Sequence, residues 1–236
     1  MNSIMRDLFV LLVLLPVIAF GQTDFEKAEK LFSARRYAEA QILFEKIAIE
    51  KPDNVKAIEY LGDIQGYGKN WANALTYYKK LKILRPNEAN YYYKYGGVLG
   101  MIAKESNKFK ALGMISSIRE SFEKAILLNP KHIEARWALI ELYLQLPGIL
   151  GGSESKAINY SDQLLKISPV DGYLSKGKIA EYFSKYSEAE QQYKKAIDTG
   201  CSKIGYQKLA DLYINKMKQP EKAKQIWAKF NEKNKS

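Results

Sequence analysis

Apolar positions recur along the chain in two rhythms at once. Over short stretches they fall three and four residues apart: Ala57, Leu61, Gly62 and Gln65 mark one run, and Ala74, Tyr78 and Leu81 mark the next. Such spacing puts its members on one face of an α-helix, because each residue turns the helix by about 100°. Between the two runs stands polar Lys69-Asn70, which predicts a turn. Over longer stretches the whole figure repeats. Pro52 and Pro86 stand 34 residues apart, and so do Ala28 and Gly62, Ala40 and Ala74, Phe44 and Tyr78, and Ile47 and Leu81. Leu61 to Tyr95 and Gly62 to Gly96 take the next step of 34. This period predicts a tandem array of helix hairpins, each too small to bury its apolar face alone.

Each recurring residue has a steric role. A small residue at Ala28 or Gly62 lets two helix axes approach closely, and an aromatic at Phe44 or Tyr78 fills the gap beside it. Pro52 and Pro86 close their units, since proline cannot extend a helix yet is tolerated at the start of the next. In this set of small residue, aromatic, small or apolar residue and proline, the sequence resembles the tetratricopeptide repeat (TPR) family over nearly all of the chain beyond its first segment. The resemblance implies an all-α fold: a right-handed superhelical solenoid of about six helix-turn-helix repeats, with units about 22-54, 55-88, 89-132, 133-171, 172-203 and 204-236.

Later units depart from the period. Pro86 to Pro130 spans 44 residues, so ten have been added, and longer helices are expected around Ala103 to Gly113. Pro130 to Pro169 spans 39, with the excess in a helix-breaking loop from Leu146 to Gly152. The fifth unit keeps the pattern in Tyr186, Ala189, Tyr193 and Ala196, while its first helix, from Gly172 to Phe183, departs from it. Leu209, Ala210, Tyr213, Ala223 and Trp227 mark the sixth.

The family resemblance implies that the first helix of each unit lines a concave binding face. Carrying the 34-residue frame along the chain selects Phe25 and Glu29, Glu59 and Asp63, Tyr93 and Gly97, Trp137 and Glu141, and Gln207 and Asp211 as its outward positions. An aromatic and acidic groove suits an extended peptide bearing Lys or Arg among apolar side chains. A plainer reading stands beside it, in which the carboxylates are merely solvated and Tyr93 or Trp137 packs on a neighbouring helix. TPR domains that clamp a terminal carboxylate use cations at such positions, and Glu29, Glu59 and Asp63 have the wrong sign for that ligand.

Charge adds a second candidate surface. Lys and Arg number 37 against 26 Asp and Glu, a formal charge of +11, and seven of the lysines lie between Lys216 and Ser236. Lys216, Lys218, Lys222, Lys224 and Lys229 suit an anionic envelope polymer or membrane surface, or else form the solvated face of a last capping helix. Tyr91-Tyr92-Tyr93-Lys94-Tyr95 has the composition of a base-stacking platform. Consecutive helical residues diverge too far for these rings to form one surface, so no nucleic-acid partner is expected.

The first segment reads apart from the repeats. Leu8 to Phe20 is an apolar run of 13 residues, short of the roughly 20 a membrane-spanning helix needs, and it closes on Ala19-Phe20-Gly21. Residues 1-21 are therefore expected to be a signal peptide, removed so that the chain starts at Gln22. A retained anchor and a buried first helix are the alternatives.

Chemistry-bearing residues are sparse. Cys201 is the single cysteine and His132 the single histidine, which leaves no HExxH zinc site and no intramolecular disulfide. Glu59 and Asp63 lie one turn apart, as an acid–base pair would, yet no phosphate loop, metal cluster or nucleophile context stands beside them. No catalytic residue, metal or cofactor is expected. These features together read as an interaction scaffold outside the cytoplasm, periplasmic or extracellular in a Gram-negative bacterium, that holds a peptide or protein segment. An adaptor to an anionic surface is the alternative.

Overall fold

A computed structural model describes residues 23–200 and 202–233. The expected leader over residues 1-21 and the thiol of Cys201 lie outside the described residues. Those described form α-helices joined by short connections, with no β-strand among them. Two compact units divide the chain, the first ending at Ile64 and the second starting at Gln65.

The first unit holds α1 (Asp24–Ser33), α2 (Tyr37–Glu50) and most of α3 (Val55–Tyr67). Thr23 and Glu26 close a reciprocal capping box at the start of α1: the Glu26 N–H donates to Thr23 Oγ1 at 3.2 Å, and the Thr23 N–H to Glu26 Oε2 at 3.0 Å. Ala28, Ala40, Phe44, Ala57, Ile58 and Leu61 are buried at its centre. Small Ala28 and Ala40 let the α1–α2 hairpin close, and the Phe44 ring stacks on Tyr60 with centroids 4.6 Å apart.

The second unit runs through α4 (Trp71–Leu84), α5 (Ala89–Glu105), α6 (Lys108–Leu128), α7 (Ile133–Gln145), α8 (Glu154–Ile167), α9 (Pro169–Tyr182), α10 (Tyr186–Gly200) and α11 (Lys203–Asp211). A π-helical turn over Leu212–Lys216 extends α11, and α12 (Pro220–Lys233) follows. From α4 onward each helix packs on the next in chain order, so the connections alternate between two ends of the stack. The first helices of successive hairpins also touch: α5 meets α7, and α7 meets α9. Apolar residues of α5 to α9, among them Phe122, Leu139, Ile140 and Leu164, form one core cluster; Tyr193, Leu209, Leu212 and Tyr213 belong to another centred on α10 and α11.

Both irregular units place their extra residues at the same end. Aligning Gly62 with Gly96, α5 runs to Glu105, four residues beyond the position that matches the end of α3. Aligning Pro86 with Pro130, α6 starts at Lys108, seven residues before the position that matches Trp71. At about 1.5 Å per residue, the α5–α6 turn projects roughly 6 to 10 Å past the standard hairpin length. The Leu146–Gly152 excess likewise falls at a turn within a hairpin, where a 3₁₀ turn over Gly148–Leu150 ends on Gly151 at φ 97.

Helix α9 starts earlier than the sequence pattern suggested. It begins at Pro169, one residue after Ser168, because the fixed φ of proline suits the first helical position and its missing N–H leaves no orphan donor. Close crossing of α8 and α9 follows. Ser161 and Ser175 are fully buried between them, with Oγ atoms 2.7 Å apart, and both hydroxyls reach the carbonyl of Gly172.

Candidate partner-binding groove

In the first unit the frame-selected residues lie on α1 and α3. Phe25 is half-buried, its ring edge-on to Phe44 at 5.7 Å and to Tyr60 at 6.2 Å, so it belongs in part to the hairpin interior. Glu29 accepts a hydrogen bond from the Tyr60 hydroxyl at 2.9 Å, and Glu59 pairs with Lys56 at 3.2 Å. Burial, the bond to Glu29 and the charges of Glu29, Glu59 and Asp63 push the Tyr60 phenol up to about 12. Three carboxylates from two helices thus gather around one tyrosine, with Lys56 paired to one of them.

In the second unit the corresponding positions are already partly engaged. Tyr93 is half-buried against Phe122 and His132, with centroids 6.0 and 5.1 Å away. It borders an open depression of about 440 Å³ lined also by Glu88, Asn90, Asn129 and Glu134. Trp137 packs against both core clusters and donates its indole N–H to Asp171 at 2.9 Å. Glu141 accepts an ion pair from Lys178 and a hydrogen bond from Gln145. Asp171 and Lys178 both sit on α9, the next first helix, so Trp137 and Glu141, each half-buried, tie α7 to α9. Lys178 was not among the sequence-selected residues. Its pairing with Glu141 offsets the acidity expected here, and only the helix stacking reveals it. Beside Tyr93, Gly97 and Gly100 on α5 have nothing within 4 Å of where a side chain would start, which leaves backbone open to an approaching chain. Asp211 is half-buried at the end of α11, and Gln207 is exposed.

The tyrosine run does not build a platform. Tyr91 is buried, Tyr93 turns toward α6 and α7, and Tyr92 and Tyr95 lie under the Lys82 ammonium at 4.8 and 3.7 Å. At the C-terminal end, Lys216, Lys218 and Lys229 are exposed, Lys222 sits 5.4 Å over the Tyr213 ring, and Lys224 pairs with Glu221 at 2.7 Å. These lysines divide among the π-helical turn (Lys216), the connection after it (Lys218) and α12 (Lys222, Lys224 and Lys229).

His132 has a local structural role. Its Nδ1 accepts the Ala135 N–H at 3.3 Å and caps α7, and its carbonyl accepts from Arg136. Burial, helped by Arg136 and opposed by Glu134, lowers the imidazole from its ordinary 6.5. A base whose folded pKa is depressed binds fewer protons folded than unfolded, so stability is fully present above about 6.5 and falls as pH drops toward the folded value. Urea midpoints at about pH 7.5 and about pH 5 are expected to differ less for His132→Asn, which keeps a cap acceptor that does not titrate. Equal differences in the two proteins would deny His132 this role.

The fold is that of TPR proteins. A thermophilic TPR protein from Thermus thermophilus superposes with a TM-score of 0.64 at 18% identity, over 81% of this chain and 97% of its own. PilW, described as a widely conserved type IV pilus biogenesis factor, gives 0.64 at 15% identity over 87% and 90%. YrrB, described as a TPR protein with an unusual peptide-binding site, gives 0.53 at 17% identity over 77% and 87%. No family model and no curated relative matches the sequence.

Proposed function

We propose that this chain is a protein-interaction scaffold that works outside the cytoplasm and holds an extended partner segment along the first helices of its hairpins, without chemistry of its own. One observation carries the reading: Tyr60 on α3 donates to Glu29 on α1 at 2.9 Å with Glu59 and Asp63 near the same ring, which gathers three carboxylates from two first helices, one of them paired with Lys56, on a protein whose net charge is +11. Such a gathering of carboxylates favours a segment with Lys or Arg, and the tyrosine supplies an aromatic face for its apolar or cationic side chains. The peptide-binding site ascribed to YrrB supports the use of this fold for the purpose. Export rests on the apolar run Leu8 to Phe20 and the small residues that close it.

Peptides of matched length, one set rich in Lys and Leu and the other in Glu and Leu, test the reading on the protein purified from its own cells. The basic set is expected to bind, and Glu29→Gln, Glu59→Gln and Asp63→Asn together to weaken that binding about tenfold and flatten its salt dependence. Preference for the acidic set, or indifference to the triple substitution, refutes the charge assignment. That preparation is also expected to come from the envelope fraction with Gln22 as its first residue; a cytoplasmic protein starting at Met1 refutes export.

A further inference from the structure

The two insertions that break the 34-residue period have a common geometry that the groove reading does not use. Both occur at turns within a hairpin, in consecutive hairpins whose first helices α5 and α7 touch, so they are neighbours at one end of the second unit. Each displays a large apolar side chain that packs on almost nothing: Phe109 on the extension of α6 is 88% exposed, and Ile149 in the α7–α8 connection is 94% exposed. Leu112, one turn after Phe109, is exposed as well, and the α9–α10 turn at the same end adds exposed Tyr182 and Phe183. Placing the two most exposed apolar side chains of the described residues on the only two added segments is not needed for packing.

The charges around the longer tip are predominantly positive. Lys104, Lys108 and Lys110 are exposed, and no described carboxylate pairs with any of them. The one acid at the tip, Glu105, accepts the indole N–H of Trp71 at 2.8 Å. Phe109 therefore stands between two lysines at the projecting α5–α6 turn. Bulky apolar side chains on protruding turns offer no concave surface for a folded partner, but they enter a soft apolar phase readily, and flanking ammonium groups then lie level with anionic headgroups.

We propose that this end of the second unit docks on an anionic phospholipid bilayer, with Phe109 and Ile149 inserted at the headgroup–acyl boundary and Lys104, Lys108 and Lys110 on the phosphates. The residues involved are other than the carboxylates of α1 and α3 and the lysines of α12, so the test is independent of peptide binding.

Vesicles of equimolar phosphatidylglycerol and phosphatidylcholine are the probe, with the full chain as the protein. Because the apolar run Leu8 to Phe20 could itself hold a vesicle, the readout is placed at the tip. On vesicle-bound protein, the extra emission of Phe109→Trp is expected to shift to the blue and to be quenched by brominated acyl chains. In the Phe109→Trp protein, Ile149→Ser and, separately, Lys104, Lys108 and Lys110 all changed to Gln are each expected to lower the quenching by brominated chains about threefold or more, and the lysine changes to remove its salt dependence. An added indole that stays in water on bound vesicles overturns the proposal. So does quenching at the tip unchanged by these substitutions, or a tip that crosslinks to a protein partner while ignoring lipid.

Discussion

Phe44→Ala is expected to destabilise the first unit by about 3–5 kcal/mol, the range for removing a fully buried aromatic ring. The ring has no solvent exposure, stacks at 11° on Tyr60, and takes the edge of Phe25 at 5.7 Å. Ala28 and Ala57 of the same core are fully buried as well. A unit of so few residues buries a small core, and a loss of this size is comparable to the whole stability such a core provides. Hydrogen exchange is therefore expected to show α1 and α2 unprotected in the variant. Tyr60 gives a second readout: with its burial and its bond to Glu29 gone, the phenol titrates near its ordinary 10 instead of about 12. Phe44→Leu, which keeps much of the volume, is expected to cost about 1–2 kcal/mol. Equal effects of the two substitutions would mean that Phe44 is not the packing centre.

The residues behind the first unit's core are also those that made the architecture readable. Ala28, Gly62 and Gly96 repeat because helix pairs cross where a larger side chain would not fit, and Phe44 and Tyr78 repeat because the gap beside such a crossing has constant size. A steric need that recurs leaves a sequence period. The backbone conformation of the turns inside the hairpins left no such trace. Arg35, Lys69, Ser184 and Lys218 all take left-handed φ near +60° at a helix end, two pairs of them 34 residues apart, yet none is the glycine that usually marks this cap. Their side chains point to solvent, the strain is modest, and composition alone gives no hint of it. The groove was half legible for a related reason. Register selects Trp137 and Glu141, but their partners Asp171 and Lys178 lie on the next first helix, 34 and 37 residues on. The ten-residue insertion was visible in the spacing of Pro86 and Pro130; that both extensions run to one end, and carry Phe109 there, required the helix boundaries.

Gly172→Ala is the second substitution with a large expected effect, and it separates a glycine the packing needs from those it does not. A Cβ at Gly172 would lie 2.3 Å from the Cα of Leu165 and 2.6 Å from its N, so it meets the backbone of α8, which cannot rotate away. Helices α8 and α9 must part to admit it, and parting them takes the buried Ser161 hydroxyl away from both Ser175 and the Gly172 carbonyl. Overpacking and a stranded buried hydroxyl together are expected to cost about 3 kcal/mol or more. Gly177→Ala is the intermediate case. Its Cβ would meet the Tyr193 ring at 2.4 Å, and a ring can tilt, though the hydroxyl of this one is tied to Glu181 at 2.9 Å; about 1–3 kcal/mol is expected. At Gly97, with open space on every side, alanine relieves the entropy cost of a helical glycine and is expected to stabilise by about 0.5–1 kcal/mol. Urea midpoints in the order Gly97→Ala, parent, Gly177→Ala, Gly172→Ala bear out the crossing geometry, and a Gly172→Ala variant as stable as the parent would show that α8 and α9 do not approach as described.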